Sequence, residues 1–70
     1  MKYRIDIGSP PDYKELVAYI LINGEEVAIL QQEEGPNKLK IEFFDNPIQT
    51  AIYYDIFLEA LQEAKKTLTE

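Results

Sequence analysis

The chain has 70 residues, no cysteine and no histidine, and a net charge of −6. A chain of this length forms one small domain that is only marginally stable alone. Without Cys or His, neither a disulfide nor a structural zinc site is expected to reinforce it. The acidic balance disfavours nucleic acids and anionic membranes as partners, because both select basic surfaces. A protein partner or a second copy of the chain remains as the extra source of stability.

The N-terminal segment predicts a strand and then a loop. Tyr3, Ile5 and Ile7 alternate with charged residues, which is the pattern of a half-buried strand, and two consecutive prolines interrupt it within residues 8–12. Charges also occupy the positions where a signal peptide would have its apolar region. No apolar run approaches the ~20 residues that cross a bilayer. We therefore expect a cytoplasmic protein without a membrane-spanning segment.

The middle of the chain predicts a β-hairpin. Two apolar runs flank Asn23-Gly24, a dipeptide typical of the two-residue turn between antiparallel strands. Such a turn would pair Ile22 with Glu25 and Ile20 with Val27.

Both faces of this hairpin carry apolar side chains, because successive residues of a strand point to opposite sides. The face expected under a helix holds Ile5, Ile20, Val27, Ile29 and Ile41. The other face holds Val17, Tyr19, Leu21, Ala28 and Leu30, with Phe44 as a further candidate. One helix covers one face only, so we expect the second face to form an exposed apolar patch that binds a protein partner. The alternatives are that the loop at residues 8–12 covers this face, or that the sheet coils upon itself.

A turn at Gly35-Pro36-Asn37 separates the hairpin from a fourth strand. In that strand Leu39, Ile41 and Phe43 alternate with charged residues, which predicts one wet face.

The end of the chain predicts a helix, because apolar residues recur there at helical spacing. They are Phe57, Leu58, Leu61, Ala64 and Leu68. The segment before them has two interpretations. Asn46-Pro47 could cap a longer helix that begins at Pro47. Alternatively, residues 48–53, rich in β-branched and aromatic side chains, form a fifth strand or an extended arm, and Asp55 caps a shorter helix. The composition slightly favours the extended form.

These elements predict a single α+β domain over residues 1–70. It is an antiparallel β-meander of four strands, or five, with one C-terminal helix packed on one face.

Little in the sequence points to catalysis or to a cofactor. Ser9 lies beside two prolines, and the glycines do not cluster into a phosphate loop. Glu25-Glu26 and Glu33-Glu34 are adjacent pairs whose members point to opposite faces of a strand, so neither pair forms an acid–base dyad. The two pairs lie roughly 26 Å apart along the third strand. They form either a solvated surface or two acidic ends that attract a basic protein target.

Tyr53-Tyr54 has two interpretations. Tyrosine is favoured at binding sites because it combines apolar area with a polar tip, so the pair could belong to an interface. Alternatively, the two rings close the open end of a small core.

The sequence therefore predicts a non-enzymatic protein-binding module that acts by protein–protein contact, and a homodimer packed sheet against sheet. The partner-binding residues are predicted to be Val17, Tyr19, Leu21, Leu30, Glu25, Glu26, Glu33 and Glu34. In size and charge the chain resembles small inhibitors of the immunity, antitoxin and anti-defence types, although no motif carries that resemblance. The alternatives are a structural homo-oligomeric subunit and an enzyme or small-ligand binder. The last needs a pocket that 70 residues rarely enclose.

Overall fold

The structure, a computed structural model, describes residues 3–44 and 51–70. Its elements are β1 (Tyr3–Gly8), β2 (Val17–Ile22), β3 (Glu25–Gln31), β4 (Lys40–Phe43) and α1 (Tyr54–Thr69). The four strands form one antiparallel sheet in the order β1-β2-β3-β4, and α1 packs on one face of it. The predicted α+β meander with a C-terminal helix is therefore confirmed. Within the described ranges, no helix has both the length and the apolar character needed to cross a bilayer.

The turn between β2 and β3 has the predicted backbone conformation. Asn23 and Gly24 have φ angles of 55° and 84°, so both lie in the left-handed region that a type I′ turn requires. Ile22 pairs with Glu25 across this turn, as the sequence predicted.

Beyond the turn, the hairpin departs from the predicted register. Ile20 pairs with Ala28 and not with Val27, because the register shifts by one residue after Leu21. Val27 is thus the extra residue of a β-bulge. Since side chains alternate with a period of two, one inserted residue exchanges the faces of the rest of the strand. The expected faces of β3 are therefore wrong from residue 28 onward: Ala28 faces α1, and Ile29 faces away from it.

The core lies between the sheet and α1. Small side chains line both sides of this contact: Ala18 and Ala28 on the sheet, and Ala60 and Ala64 on the helix, none of them with exposed surface. Alanine at these four positions allows the helix backbone to approach the strands closely. The rest of the buried cluster is Ile20, Ile22, Val27, Leu30 and Leu68.

The helix begins one residue before the predicted cap. Tyr53 occupies the N-cap position with an extended backbone (φ −62°, ψ 130°) and makes no capping side-chain hydrogen bond. Asp55 lies inside the first turn, so its prediction as the cap is wrong, although a carboxylate there still interacts favourably with the helix dipole. Residues 51–53 are neither helix nor strand, which contradicts a continuous helix from Pro47. The remainder of that question, including Asn46, lies outside the described residues.

The loop between β1 and β2 is tied to the far side of the sheet. The Tyr13 hydroxyl donates a hydrogen bond to the Glu42 carboxylate on β4. The backbone amides of Lys14 and Glu15 donate to the two carboxylate oxygens of Glu33, at 3.0 and 2.7 Å. These bonds bring the loop to the β3–β4 side of the sheet, on the face opposite α1.

Candidate functional site

The outer face of the sheet, opposite α1, is not the exposed apolar patch that the alternation predicted. Val17 and Leu21 are buried, and Tyr19 is half-buried. The ring of Tyr19 covers Gly8 so closely that a Cβ at residue 8 would lie 2.7 Å from its Cε2 atom. Leu30 is buried as well, but on the α1 face, because the bulge moved it there. The expected exposure is therefore wrong for Val17, Leu21 and Leu30, and their binding of a partner stays a prediction without that support.

The β1–β2 loop is bonded to this face through residues 13–15, beyond the segment 8–12 that the sequence offered as a cover. Tyr13 reaches Glu42, and Gln31 on β3 donates a second hydrogen bond to the same carboxylate at 2.9 Å. The hydrogen bond to Glu42 raises the pKa of Tyr13 to about 12. The same bond, followed by that from Gln31, lowers the pKa of Glu42. This network holds loop, β3 and β4 together and requires no ligand.

The two pairs of acidic residues predicted to bind a partner have different surroundings in the structure. Glu25 and Glu26 lie beside the hairpin turn, half-buried and exposed respectively. Glu33 accepts the two backbone amides of the β1–β2 loop, and these bonds lower its pKa. Glu34 forms an ion pair with Lys40, which raises the pKa of that lysine. Glu33 and Glu34 thus have partners within the chain. Of the four glutamates proposed to attract a basic protein, Glu25 and Glu26 beside the hairpin turn are the better candidates.

The exposed apolar surface lies on the same side of the sheet as α1. The helix packs mainly on β1 and β2 and less on β3. On β4, Ile41 pairs with Leu30 and Phe43 pairs with Ala28, so both side chains point to the helix side. They remain 40% and 66% exposed, because α1 lies mainly over β1 and β2 and covers β4 only in part.

The helix adds a second apolar wall to this surface. The ring of Phe57 lies 6.4 Å from that of Phe43, centre to centre, in a tilted arrangement. Tyr54, Leu58 and Leu61 lie on the same side of α1, because residues three and four apart are neighbours on a helix. Tyr54 is 75% exposed. We name this surface the β4–α1 face; it consists of Ile41, Phe43, Tyr54, Phe57, Leu58 and Leu61.

An open cavity continues the β4–α1 face toward the turn before β4. Its volume is about 370 Å³. It lies between Leu30 and Ile41 on the sheet and Leu61 on the helix, and Lys65 is at its margin. Leucine and isoleucine side chains line the cavity together with the polar residues Asn37 and Lys65, so the groove offers both apolar and polar contacts.

The sequence contained signals for this surface that the alternation alone did not reveal. Tyr54, Leu58, Leu61 and Lys65 are spaced four, three and four residues apart, which extends the apolar stripe of the helix beyond its buried alanines. The prediction that Tyr53-Tyr54 contributes to an interface agrees with the high exposure of both rings. Phe43 was expected on a strand with one apolar face, but its exposure depends on where the helix lies.

Among residues 3–44 and 51–70, no three Asp or Glu side chains come together in a group that could hold a metal ion. Comparison with protein-family models, with curated proteins and with solved structures found no match to this chain.

Proposed function

We propose that this protein is a non-enzymatic protein-binding module and that the β4–α1 face is its binding surface. The observation that carries the proposal is the exposure of Phe43, which is 66% accessible beside a second aromatic ring in a domain this small. Clusters of exposed aromatic and aliphatic side chains are typical of surfaces that associate with other proteins.

The composition of the surface supports a protein partner. Tyr54 combines apolar area with a hydroxyl group, and aromatic residues of this kind contribute much of the binding energy at interfaces. The adjoining groove, lined by both apolar and polar side chains, provides further contact area for the partner. The net charge of −6 would increase the encounter rate with a basic protein. We infer that the module acts as an inhibitor, by covering a surface of its target.

A capture experiment tests the proposal. The protein, immobilised through its C-terminus, is incubated with a lysate of its native host, alongside the variants Phe43→Lys and Leu16→Lys. Leu16 is a matched control, because it is an exposed leucine in the β1–β2 loop, outside the β4–α1 face. We expect a retained protein whose capture falls at least about tenfold with Phe43→Lys and is unchanged with Leu16→Lys.

Equal capture by all three proteins, each shown by circular dichroism to be folded, would contradict the assignment of the binding surface. Loss of capture with both variants would also contradict it, because the effect would then follow from any added charge.

A second candidate function, a structural subunit that associates only with itself, is favoured by a different observation. The outer edge of β4 has no neighbouring strand among the described residues. In that case the purified chain would form a stable oligomer and would retain no other protein.

A further inference from the structure

The two edges of the sheet differ in how they would receive another strand. Among residues 3–44 and 51–70, β1 and β4 are the edge strands of the sheet, so each presents backbone N–H and C=O groups on its outer side that no described strand pairs. An edge of this kind pairs with a second strand when the side chains of the two strands are compatible. The charges along each edge therefore decide which partner it accepts.

Around Ile41, β4 is complementary to its own sequence. In an antiparallel pair related by a two-fold axis at Ile41, Lys40 of one copy lies opposite Glu42 of the other, and this happens twice. Ile41 lies opposite its own equivalent, and Phe43 lies opposite Leu39. Every pair across this interface is thus either apolar or of opposite charge.

The neighbouring registers lack this complementarity. A two-fold axis at Glu42 would place the two Glu42 carboxylates opposite each other, and an axis at Lys40 would do the same with two ammonium groups. Like charges directly opposite are destabilising. The register at Ile41 is therefore the one that the charges select.

Both charged side chains lie on the outer face of β4, and each already has a partner within the chain. The hydrogen bonds from Tyr13 and Gln31 hold the Glu42 carboxylate in place on the outer face of β4. Lys40 lies on that face too, and its side chain is 57% exposed although it is paired with Glu34. Its ammonium group has three donors, so it can bond a second carboxylate.

The β1 edge is less suited to a second copy. Arg4 and Asp6 would also be complementary across a two-fold axis, and they bond each other at 3.1 Å, so charge pairing alone does not distinguish this edge from β4. The flank of α1 beside β1 carries Glu59 and Glu63, which lie close enough to Tyr3 to raise its pKa, after the larger effect of burial. A second copy at this edge would bring both glutamates toward their equivalents.

We propose that a second copy of this chain pairs with β4 in antiparallel orientation about a two-fold axis at Ile41. The product joins the four described strands of each copy into one continuous sheet, in which the two β4–α1 faces lie side by side on the same surface. The proposal is independent of what those faces bind. Because β4 has only four residues, the interface is small and the dimer is weak, with dissociation in the micromolar range or above.

Charge reversal provides the first test. The variant Lys40→Glu has two acids on each edge, and Glu42→Lys has two bases, so each variant alone should have a dissociation constant at least about tenfold higher than the unmodified chain. An equimolar mixture of the two variants restores both opposite-charge pairs. We therefore expect the mixture to form heterodimers with near-original affinity by sedimentation equilibrium. Recovery in the mixture also excludes misfolding as the reason for the loss.

Disulfide trapping tests the register. Since the chain has no cysteine, a single introduced thiol gives one possible product. Ile41→Cys places two thiols opposite each other, within the Cα separation that a disulfide accepts. Phe43→Cys is the matched control, because the two equivalents would be four residues apart, about 13 Å along the strands. We expect mild oxidation to crosslink Ile41→Cys and to leave Phe43→Cys mostly monomeric.

Three results would overturn the inference: a monomer at about 1 mM, a mixture of charge variants that stays monomeric, or crosslinking of Phe43→Cys in preference to Ile41→Cys. None of these alters the capture experiment on the β4–α1 face. A monomer that still retains a target through Phe43 would refute the dimer and leave the proposed function standing. A dimer of the expected register without such capture would do the reverse.

Discussion

Replacing Ala28 with isoleucine tests the β-bulge that sets the hairpin register. The observed register, with the bulge, predicts a loss of stability, whereas a register without the bulge predicts a gain. In the structure Ala28 is 0% exposed, faces α1 and lies between Ile20 and Phe43 of the neighbouring strands. A larger side chain there overfills the helix–sheet contact, which typically costs about 1–3 kcal/mol. For a domain of this size each kcal/mol corresponds to roughly 4–8 °C in melting temperature. We therefore expect a loss of about 2 kcal/mol, or about 8–16 °C.

In the register without a bulge, residue 28 would lie on the outer face, away from the helix. Isoleucine would then gain up to about 1 kcal/mol from its higher strand propensity. Urea unfolding followed by circular dichroism measures the difference. Ile29→Val is the matched control: it changes the adjacent, half-buried residue and should cost about 1 kcal/mol or less. An Ala28→Ile variant that is as stable as the unmodified chain, or more so, with an unchanged m-value, would refute the assignment of Ala28 to the core.

Three further predictions concern the surface and the loop. About a third of the Phe43 ring is buried, roughly 70 Å², so Phe43→Ala should lower the free energy of unfolding by about 2 kcal/mol or less. Ile20→Ala in the core should lower it by about 4 kcal/mol. Equal losses for the two variants in urea unfolding would mean that Phe43 is buried and that the β4–α1 face is closed. The hydrogen bond of Tyr13 raises its pKa from 10.0 to about 12, so its stabilisation is present below pH 10 and is lost as the pH rises through 12. Tyr13→Phe should therefore reduce the decrease in the free energy of unfolding between about pH 10 and pH 12. The same pH dependence in the variant and in the unmodified chain would contradict the hydrogen bond. The loop amides lower the pKa of Glu33 from 4.5, so its stabilisation is present above that value and is lost as the pH falls through the folded-state pKa. Glu33→Gln should therefore reduce the loss of stability between pH 5 and pH 3, as measured by urea titration at each pH.

Local chemistry in the sequence was sufficient for the elements of the fold. The Asn23-Gly24 turn adopts the backbone angles that this dipeptide prefers, because asparagine and glycine tolerate positive φ. The strands and the helix follow from periods of two and about 3.6 in the apolar residues, which depend on backbone geometry alone. For these reasons the meander and its C-terminal helix were predictable without any knowledge of tertiary contacts.

The bulge at Val27 was decided by tertiary packing. Glu26, Val27 and Ala28 read as an uninterrupted strand, and no residue among them marks the insertion. The bulge turns Ala28 and Leu30 toward α1, where the small Ala28 meets the alanines of the helix and Leu30 fills the core. Such a choice depends on the fit between two elements distant in the chain, and a single strand pattern contains no information about it.

The location of the exposed apolar surface, which we propose binds a partner, also depends on tertiary structure. From the sequence alone, an apolar face not covered by the helix was expected, and the prediction placed it on the outer side of the sheet around Val17 and Leu21. In the structure those side chains are buried, and the exposed apolar area is around Phe43 on the helix side. Sequence periodicity determined which side chains are apolar and on which strand they lie. Whether Phe43 reaches water was decided by the position of the 16-residue helix over β1 and β2, because the exposure of a side chain depends on what packs above it.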